Sequence, residues 1–457
     1  MEYTNDVNAV YTNTLTGNPL LDALPGRLSL SELYEKVSYI PTLPDNYKTM
    51  PPNDRYLLAE KLTMMYMPLD YTAIIYNLIY SGIRSAYQGK TPKGIIKRTN
   101  EYGQCIFYKT PNRLSDSITQ AECFSVLGES GMGKTQTITR ILKLFPQVIH
   151  HTEYDGQPFE HDQIVYIKIE SPANNSPRGA CLQILAAVDE LLGTDLCLEE
   201  RKKSSNVDML ITRIAQTCIR YSIGCIVIDE IQNILSTRSN YIQTTGGRMV
   251  NFLVELANKT GVCLAFIGTP IVSKVFDSEP HLLRRTRGPR IPALEKSTAF
   301  EKLLEIMWNN IPVLNPVPLD AGTIDLVYKI TGGVIAKMQK EILLSTQNAI
   351  YFEKETVTRE LLKKIAKQYN IIPGKSTLET AAPEVLTVKA AKEKNETPLD
   401  SKGKGRPKLS WDDDDILQIF AECQEKGWSV AKALIQHGLA ERGGLNEKSA
   451  DAADPIS

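Results

Sequence analysis

The sequence predicts a doubly wound α/β sheet followed by a small helical lid, with an N-terminal arm before it and a partly disordered C-terminal tail after it. Two observations predict the sheet and a third the lid. From about residue 120, short β-rich runs appear: "CFSVL" (123–127), "IVYIKI" (164–169), "CIVI" (225–228) and "CLAFI" (263–267). Each is nearly continuous in apolar residues, as parallel strands buried on both faces require. Amphipathic stretches such as 179–192 and 207–221 lie between the runs, and strand–helix alternation of this kind builds a parallel sheet. Beyond residue 290 no such runs recur. "STAFEKLLEIMWNNI" and "AKMQKEILLSTQNAIYF" carry helical periodicity instead.

Taken in order, residues 1–50 are rich in Pro, Asn and Thr, with apolar clusters such as "NPLLDALPG", and read as an arm with little core of its own. Residues 51–290 form the α/β core with preceding helices, whose periodicity runs through Leu57, Leu58, Leu62 and Met65 and then Ile74, Ile75, Leu78 and Ile79. The most apolar long window, 62–83, contains Pro68, Asp70 and Asn77, which predicts a buried helix pair and no membrane span. Residues 291–372 are the lid. Residues 373–410, rich in Lys, Glu, Thr, Pro and Gly, read as a disordered linker. Within it "KGKGRPK" (402–408) has the Gly-Arg-Pro centre of a minor-groove hook but lacks flanking arginines, and reads as solvated linker. Residues 411–457 form a short helical tail. Its Ile416, Ile419, Phe420, Trp428, Leu434 and Ile435 exceed what two isolated helices bury, which predicts docking on another protein.

Composition narrows the class. A net charge of −1 over 457 residues excludes a globally basic nucleic-acid binder, so any basic footprint is local. The eight cysteines form no CxxC pair and several sit inside apolar runs, as buried thiols of a reducing compartment do. The polar start "MEYTNDVNAVYTNTL" is not a signal peptide, and the chain reads as cytoplasmic.

The chemistry begins at "GESGMGKTQT". Gly128, Glu129, Ser130, Gly131, Met132, Gly133, Lys134 and Thr135 fit G-x-x-x-x-G-K-[ST], with a strand before and a helix after, and Gln136 follows on the same turn. Glycines let backbone N–H groups curl around phosphate oxygens. Lys134 neutralises the β and γ phosphates, and the Thr135 hydroxyl suits Mg²⁺. ATP and Mg²⁺ are the expected cofactors. In "CIVIDEIQN" four apolar residues deliver Asp229 and Glu230 to the carboxyl end of a strand. Asp229 would hold the metal through water and Glu230 would polarise the attacking water. "VCLAFIGTP" ends in Thr269, which either bridges γ-phosphate and water or simply closes a strand-ending turn. "HLLRRTRGPR" crowds Arg284, Arg285, Arg287 and Arg290 into ten residues, either a solvated basic loop or an arginine finger for a neighbouring subunit's nucleotide. In the lid, Lys337 of "TGGVIAKMQ" stands near a helix start, either solvated or reaching the γ-phosphate. This order of motifs is the layout of AAA+ ATPases.

"FPQVIHHTEY" (145–154), "IVYIKIESPANNSPRGACLQIL" (164–185), "CIVIDEIQNILSTRS" (225–239), "LAFIGTPIVSKVFDSE" (264–279) and "LLRRTRG" (282–288) narrow it further. Over roughly residues 10–350 the chain resembles the TnsC family, AAA+ regulators of transposons with TnsA/TnsB-type transposases, related to TniB and MuB. The resemblance implies an ATPase that assembles on double-stranded DNA as a ring or helical filament with a hexamer-like turn. It also implies a nucleoid-associated protein that links a TnsD/TniQ-type target selector to the transposase subunits, with hydrolysis controlling disassembly; the arm is the expected selector-docking segment, and no membrane is involved. Lys134, Thr135, Asp229, Glu230 and Thr269 match the family's nucleotide positions, whereas Arg284, Arg285 and Arg287 all fit the finger. Phosphate contacts to DNA are expected from polar loops, with Arg178 on "ESPANNSPRG" (170–179) and Arg238 and Arg248 on "STRSNYIQTTGGR" (236–248).

Two other classes compete. An origin-recognition or clamp-loader-type ATPase would more often carry a folded domain of ~80–100 residues after the lid, where this chain has linker and a short helix pair. A protein-remodelling or STAND-type ATPase would carry an aromatic pore loop or a repeat array.

Overall fold

The computed structural model describes residues 6–11, 16–88, 90, 94, 122–172, 176–202, 207–235, 252, 257, 258, 261–273 and 287–371. The linker and the tail, with "KGKGRPK" and the tail helices, lie outside these residues.

The four apolar runs become strands of one five-stranded parallel sheet. These are β2 (Phe124–Gly128), β5 (Tyr166–Glu170), β6 (Cys225–Asp229) and β7 (Cys263–Gly268), and the sheet order is β5-β6-β7-β2-β8, with β8 at Arg290–Ile291. Strands β2, β6 and β7 are buried at every position. Alternation divides their side chains between two cores. Ile226, Ile228, Leu264 and Phe266 join Ile184, Leu185 and Ile214 of helices α6 (Pro177–Leu192) and α8 (Val207–Arg220) on one face. Cys225, Val227, Cys263 and Ala265 join Ile75, Ile79 and Ile138 of helices α4 (Asp70–Tyr87) and α5 (Lys134–Leu142) on the other. A short helix, α7 (Leu196–Lys202), packs on α6. Cys181, Cys197, Cys218, Cys225 and Cys263 are free and buried.

A second sheet was not expected. Strands β3 (Val148–Tyr154) and β4 (Gln157–Ile164) form an antiparallel hairpin, and β1 (Asp6–Asn8) adds to β3 in parallel. The turn is Asp155-Gly156, both at positive φ (50° and 72°), the backbone that a two-residue hairpin loop demands.

The arm lacks a core of its own because it fills the one beneath α4. Leu20 of α1 (Pro19–Asp22), Leu24, and Leu33 and Val37 of α2 (Leu30–Val37) are buried there. Asn18 caps α1 and donates to Tyr87 O at 2.9 Å, and Ser29 and Glu32 form a capping box for α2. In the 62–83 window the expected helix pair is instead a 3₁₀ turn at Glu60–Met64, an extended stretch paired at Tyr66 with Tyr39, and the single long helix α4. Pro68 explains the break, since the residue before a proline is driven out of helical geometry.

The lid comprises α9 (Thr298–Asn309), α10 (Ala321–Thr331), α11 (Ile335–Tyr351) and α12 (Arg359–Gln368). Phe300, Leu304, Met307, Met338, Ile342, Leu362 and Ile365 fill its core together with Leu62 and Met65 from upstream. Helix α3 (Pro52–Ala59) also packs on α11, so the segment before α4 belongs structurally to the lid. No helix among the described residues is long and apolar enough to cross a membrane.

Candidate nucleotide site

The site lies at the carboxyl ends of β6, β7 and β2, where an open parallel sheet binds ligands. After β2 the chain turns through residues 129–133 and enters α5 at Lys134. Gly131 and Gly133 take positive φ (85° and 78°), which a side chain would strain. Gly131 also admits the lid: a Cβ there would stand 3.0 Å from both Ala336 Cβ and Val334 Cγ1. Ala336 N donates to Gly131 O at 2.9 Å, so α11 begins directly against the phosphate loop. Lys134 Nζ donates to the carbonyls of Gly128 and Glu129, both at 2.8 Å. Burial lowers the pKa of this ammonium, and the carboxylates of Glu230, Asp229 and Glu129 pull in the opposite direction.

A cavity of about 420 Å³ opens over this loop. Ser130, Gly131, Gly133, Lys134, Thr135 and Gln136 line its floor. Asp229, Glu230, Gln232, Gly268 and Thr269 line the strand-end wall, and Ile335, Ala336 and Gln339 the lid wall. Asp229 is buried. Its Oδ1 accepts from Glu230 N at 2.9 Å and its Oδ2 is 3.2 Å from Lys168 Nζ. Glu230 has a positive φ of 53°, a costly backbone for glutamate that turns it out of the strand line. Gln232 then links two predicted residues: its Nε2 donates to the Glu230 carboxylate, and its Oε1 accepts from Thr269 N at 3.1 Å.

The loop is braced from the N-terminal side. Tyr71 OH donates to Met132 O at 2.9 Å, and Tyr66 OH donates to Thr137 Oγ1 at 2.9 Å. Thr137 Oγ1 in turn donates to Gly133 O at 3.0 Å. Burial raises both phenol pKa values, keeping them neutral donors. Arg140 donates to Val37 O at 3.1 Å and lies 4.9 Å from the Tyr66 ring centroid.

Nine predicted residues therefore meet in one cavity: Ser130, Gly131, Gly133, Lys134, Thr135, Gln136, Asp229, Glu230 and Thr269. Others stand elsewhere. Gly128 serves the sheet, because a Cβ there would lie 2.6 Å from Ile291 O of β8, and Glu129 N donates to that same oxygen at 3.0 Å. Met132 is fully buried. Lys337 is not among the lining residues, its helix presenting Ile335, Ala336 and Gln339 to the cavity instead. Arg287 is exposed ahead of β8 and does not line the cavity either. Arg178, expected on a loop, sits in the first turn of α6, since Ser176 caps that helix through Gly179 N at 3.1 Å and Pro177 starts it. Arg284, Arg285, Arg238 and Arg248 lie outside the described residues.

Among the site residues that escaped the sequence reading, three carry polar side chains. Lys168 had a signal, being the one charge in the buried run "IVYIKI". Gln232 lies within the quoted "IDEIQN". Gln339 follows Ile335 by four residues on the same helix face, so lid contact at one implies the other.

Residues 117–276 match a family model described as AAA domain. With this sheet order, loop and lid, the fold is that of an AAA+ P-loop nucleoside triphosphatase. No curated protein sequence matches the chain. Among solved structures, the Aeropyrum pernix ORC2 protein (ADPNP–ADP complexes) is similar at 10% identity and TM-score 0.36, over 60% of this chain and 66% of that one. The Aeropyrum pernix ORC1 protein in complex with DNA is similar at 16% identity and TM-score 0.35, over 61% and 65%. Drosophila ORC bound to DNA is similar at 14% identity and TM-score 0.33, over 67% and 68%. The chain thus spans about two thirds of the length of these proteins, and likenesses at such TM-scores carry no functional argument.

Proposed function

We propose that this chain is an ATP-hydrolysing AAA+ switch that works on double-stranded DNA. The observation that carries the ATPase reading is the single cavity in which the glycine loop, Lys134, the Asp229–Glu230 pair and Thr269 converge beneath a lid helix. Lys134 would move from its two carbonyl partners to the β and γ phosphates, an anion being the stronger acceptor. Thr135 and Asp229 offer the hydroxyl and carboxylate oxygens that Mg²⁺ takes beside phosphates, and they would hold it there. The ion would supply neutralisation of phosphate charge. Glu230 would orient and accept the proton of the attacking water, with Thr269 holding that water and Gln232 fixing the spacing of the two.

The finer reading is a transposition regulator that assembles on target DNA through ATP-bound subunit contacts and links a target selector to a transposase. It rests on the resemblance carried by "IDEIQN", "FIGTP" and "RRTRG". In that reading one of Arg284, Arg285 and Arg287 reaches a neighbouring subunit's nucleotide. The second reading is an origin-recognition or clamp-loader type DNA ATPase; the similar structures named above are origin-recognition proteins, two of them bound to DNA. Both are DNA-associated AAA+ ATPases, and they part on partners.

Electron microscopy with ATP and duplex DNA, followed by pull-down of transposase and selector proteins, tests the proposal. DNA-centred rings or filaments are expected from wild type, none from Lys134→Ala, and persistent ones from Glu230→Gln. DNA-independent hexamers would refute the DNA role. DNA-centred assemblies that capture neither transposase nor selector would leave the second reading in possession.

A further inference from the structure

The lid wall of the cavity bears on which nucleotide it accepts. Lys134, Asp229, Glu230 and Thr269 mark the phosphate end at the carboxyl ends of the strands. Among the lining residues only Ile335 and Ala336 of α11 carry apolar side chains, so the lid wall is where a nucleotide base finds an apolar surface. That wall offers Ile335, an apolar surface for a ring, and one turn further Gln339.

Gln339 is half-buried and its amide is held in one orientation. Nε2 donates to Met65 O at 3.1 Å and to Leu62 O at 3.5 Å. Backbone carbonyls only accept, so a flipped amide would set oxygen against two oxygens. The nitrogen is therefore committed, and no described residue donates to Oε1. The side chain that lines the cavity thus brings to it a fixed acceptor. A fixed acceptor favours a ligand donor and repels a ligand carbonyl.

We propose that Gln339 is the base-specificity residue of this site: its Oε1 accepts a hydrogen bond from the exocyclic amine of adenine and rejects 6-oxo purines. The inference rests on the nucleotide-site reading above. Because Met65 and Leu62 already restrain the amide, little rotamer freedom is lost when the base binds, so the acceptor is presented at low entropic cost. An oxo group at the same place would leave two acceptors facing each other without a proton.

Equilibrium binding to the full chain of ATP, ITP and purine riboside triphosphate tests this. The three differ at purine position 6: amine, oxygen and hydrogen. Wild type should prefer ATP over ITP by roughly tenfold and over purine riboside triphosphate by roughly threefold. Gln339→Leu should bring all three within about twofold of each other, with Lys134→Ala losing all of them. Gln339→Met, unbranched and of similar length, serves if the leucine variant does not fold. Equal wild-type affinity for ATP and purine riboside triphosphate would overturn the inference without any variant. So would an ATP preference that survives Gln339→Leu. Failure of wild type to bind any of the three would instead bring down the nucleotide-site reading itself.

Discussion

The lid is held to α3 by one buried ion pair, and removing half of it should unfold the chain more readily. Arg55 is 2% exposed, and Glu355 only 12%. The guanidinium grips the carboxylate with two bonds of 2.6 Å, NH1 to Oε2 and NH2 to Oε1. NH1 also donates to Pro312 O at 3.1 Å and Nε to Met50 O at 3.3 Å. Arg55→Met would leave the carboxylate with Leu314 N, at 3.2 Å, as its remaining described partner and strip both carbonyls of a donor. Removing one member of a buried pair costs about 3–5 kcal/mol, because the other charge stays in place unpaired. For a domain of this class that is a fall of roughly 6–20 °C in Tm. The double variant Arg55→Met/Glu355→Leu removes both charges and should recover much of the loss. Hydrogen bonds from Arg55 depress the Glu355 pKa below its ordinary 4.5, so the pair's stabilisation is present above that pH and fades as pH falls through the folded value. Thermal melts of the three proteins from pH 3 upward read this directly. A single variant within about 1 kcal/mol of wild type, or a double variant no more stable than the single, would refute the reasoning.

Two more perturbations test packing at and behind the site. Glu341 of α11 is fully buried, with Oε1 accepting from Ser345 Oγ at 3.3 Å and Oε2 without a partner among the described residues. Burial pushes its carboxyl up to about 7. A raised acid favours the neutral form in the fold, so its penalty is absent below the ordinary 4.5 and grows as pH rises through 7. Glu341→Gln should therefore stabilise by up to about 3 kcal/mol at pH 8 and hardly at all at pH 4.5; a gain independent of pH would show the carboxyl is not the cause. Gly128→Ala would bring a Cβ to 2.6 Å from Ile291 O and 2.7 Å from Ile291 Cβ. Backbone of β8 must move, at a cost on the order of 1–3 kcal/mol, and nucleotide affinity should fall with it. Unchanged melting and affinity would mean that β8 does not need this close approach.

What was legible in the sequence follows from what the fold buries. Strands with both faces covered have to be apolar throughout, so "CIVI" and "CLAFI" declared themselves. Phosphate binding needs a fixed spacing of glycines and lysine, so the cavity floor was readable from ten residues. The hairpin was missed although Asp155-Gly156 announces it, because β3 after Ile149 and most of β4 are polar and partly or fully exposed, so neither an apolar run nor a clean alternation marks them. The segment before α4 read as part of the sheet domain because periodicity locates an apolar face but not its partner; Leu62 and Met65 turn that face to the lid. The sequence points to Lys337 because charge invites a phosphate contact, whereas helix phase decides which residues reach the cavity, and those are Ile335, Ala336 and Gln339.

Helix α11 connects these observations through bonds of unequal strength. Its first turn holds the phosphate loop by one neutral bond, Ala336 N to Gly131 O, and its second holds the backbone at 62 and 65 through the Gln339 amide. Beyond its far end, Glu355 is clamped by Arg55. Neutral bonds contribute about 1 kcal/mol each and are easily exchanged for bonds to water or ligand, whereas the bidentate, charge-assisted bonds of the Arg55–Glu355 pair are stronger. Opening of the lid is therefore expected to begin at the nucleotide end, with amide exchange faster around residues 335–339 than around Arg55. The residues expected to open first, Ile335, Ala336 and Gln339, are those that line the cavity. A ligand that bonds to them would close the weakest part of the lid and leave the strongest untouched, so that its binding energy would go into closure and not into holding the helices together.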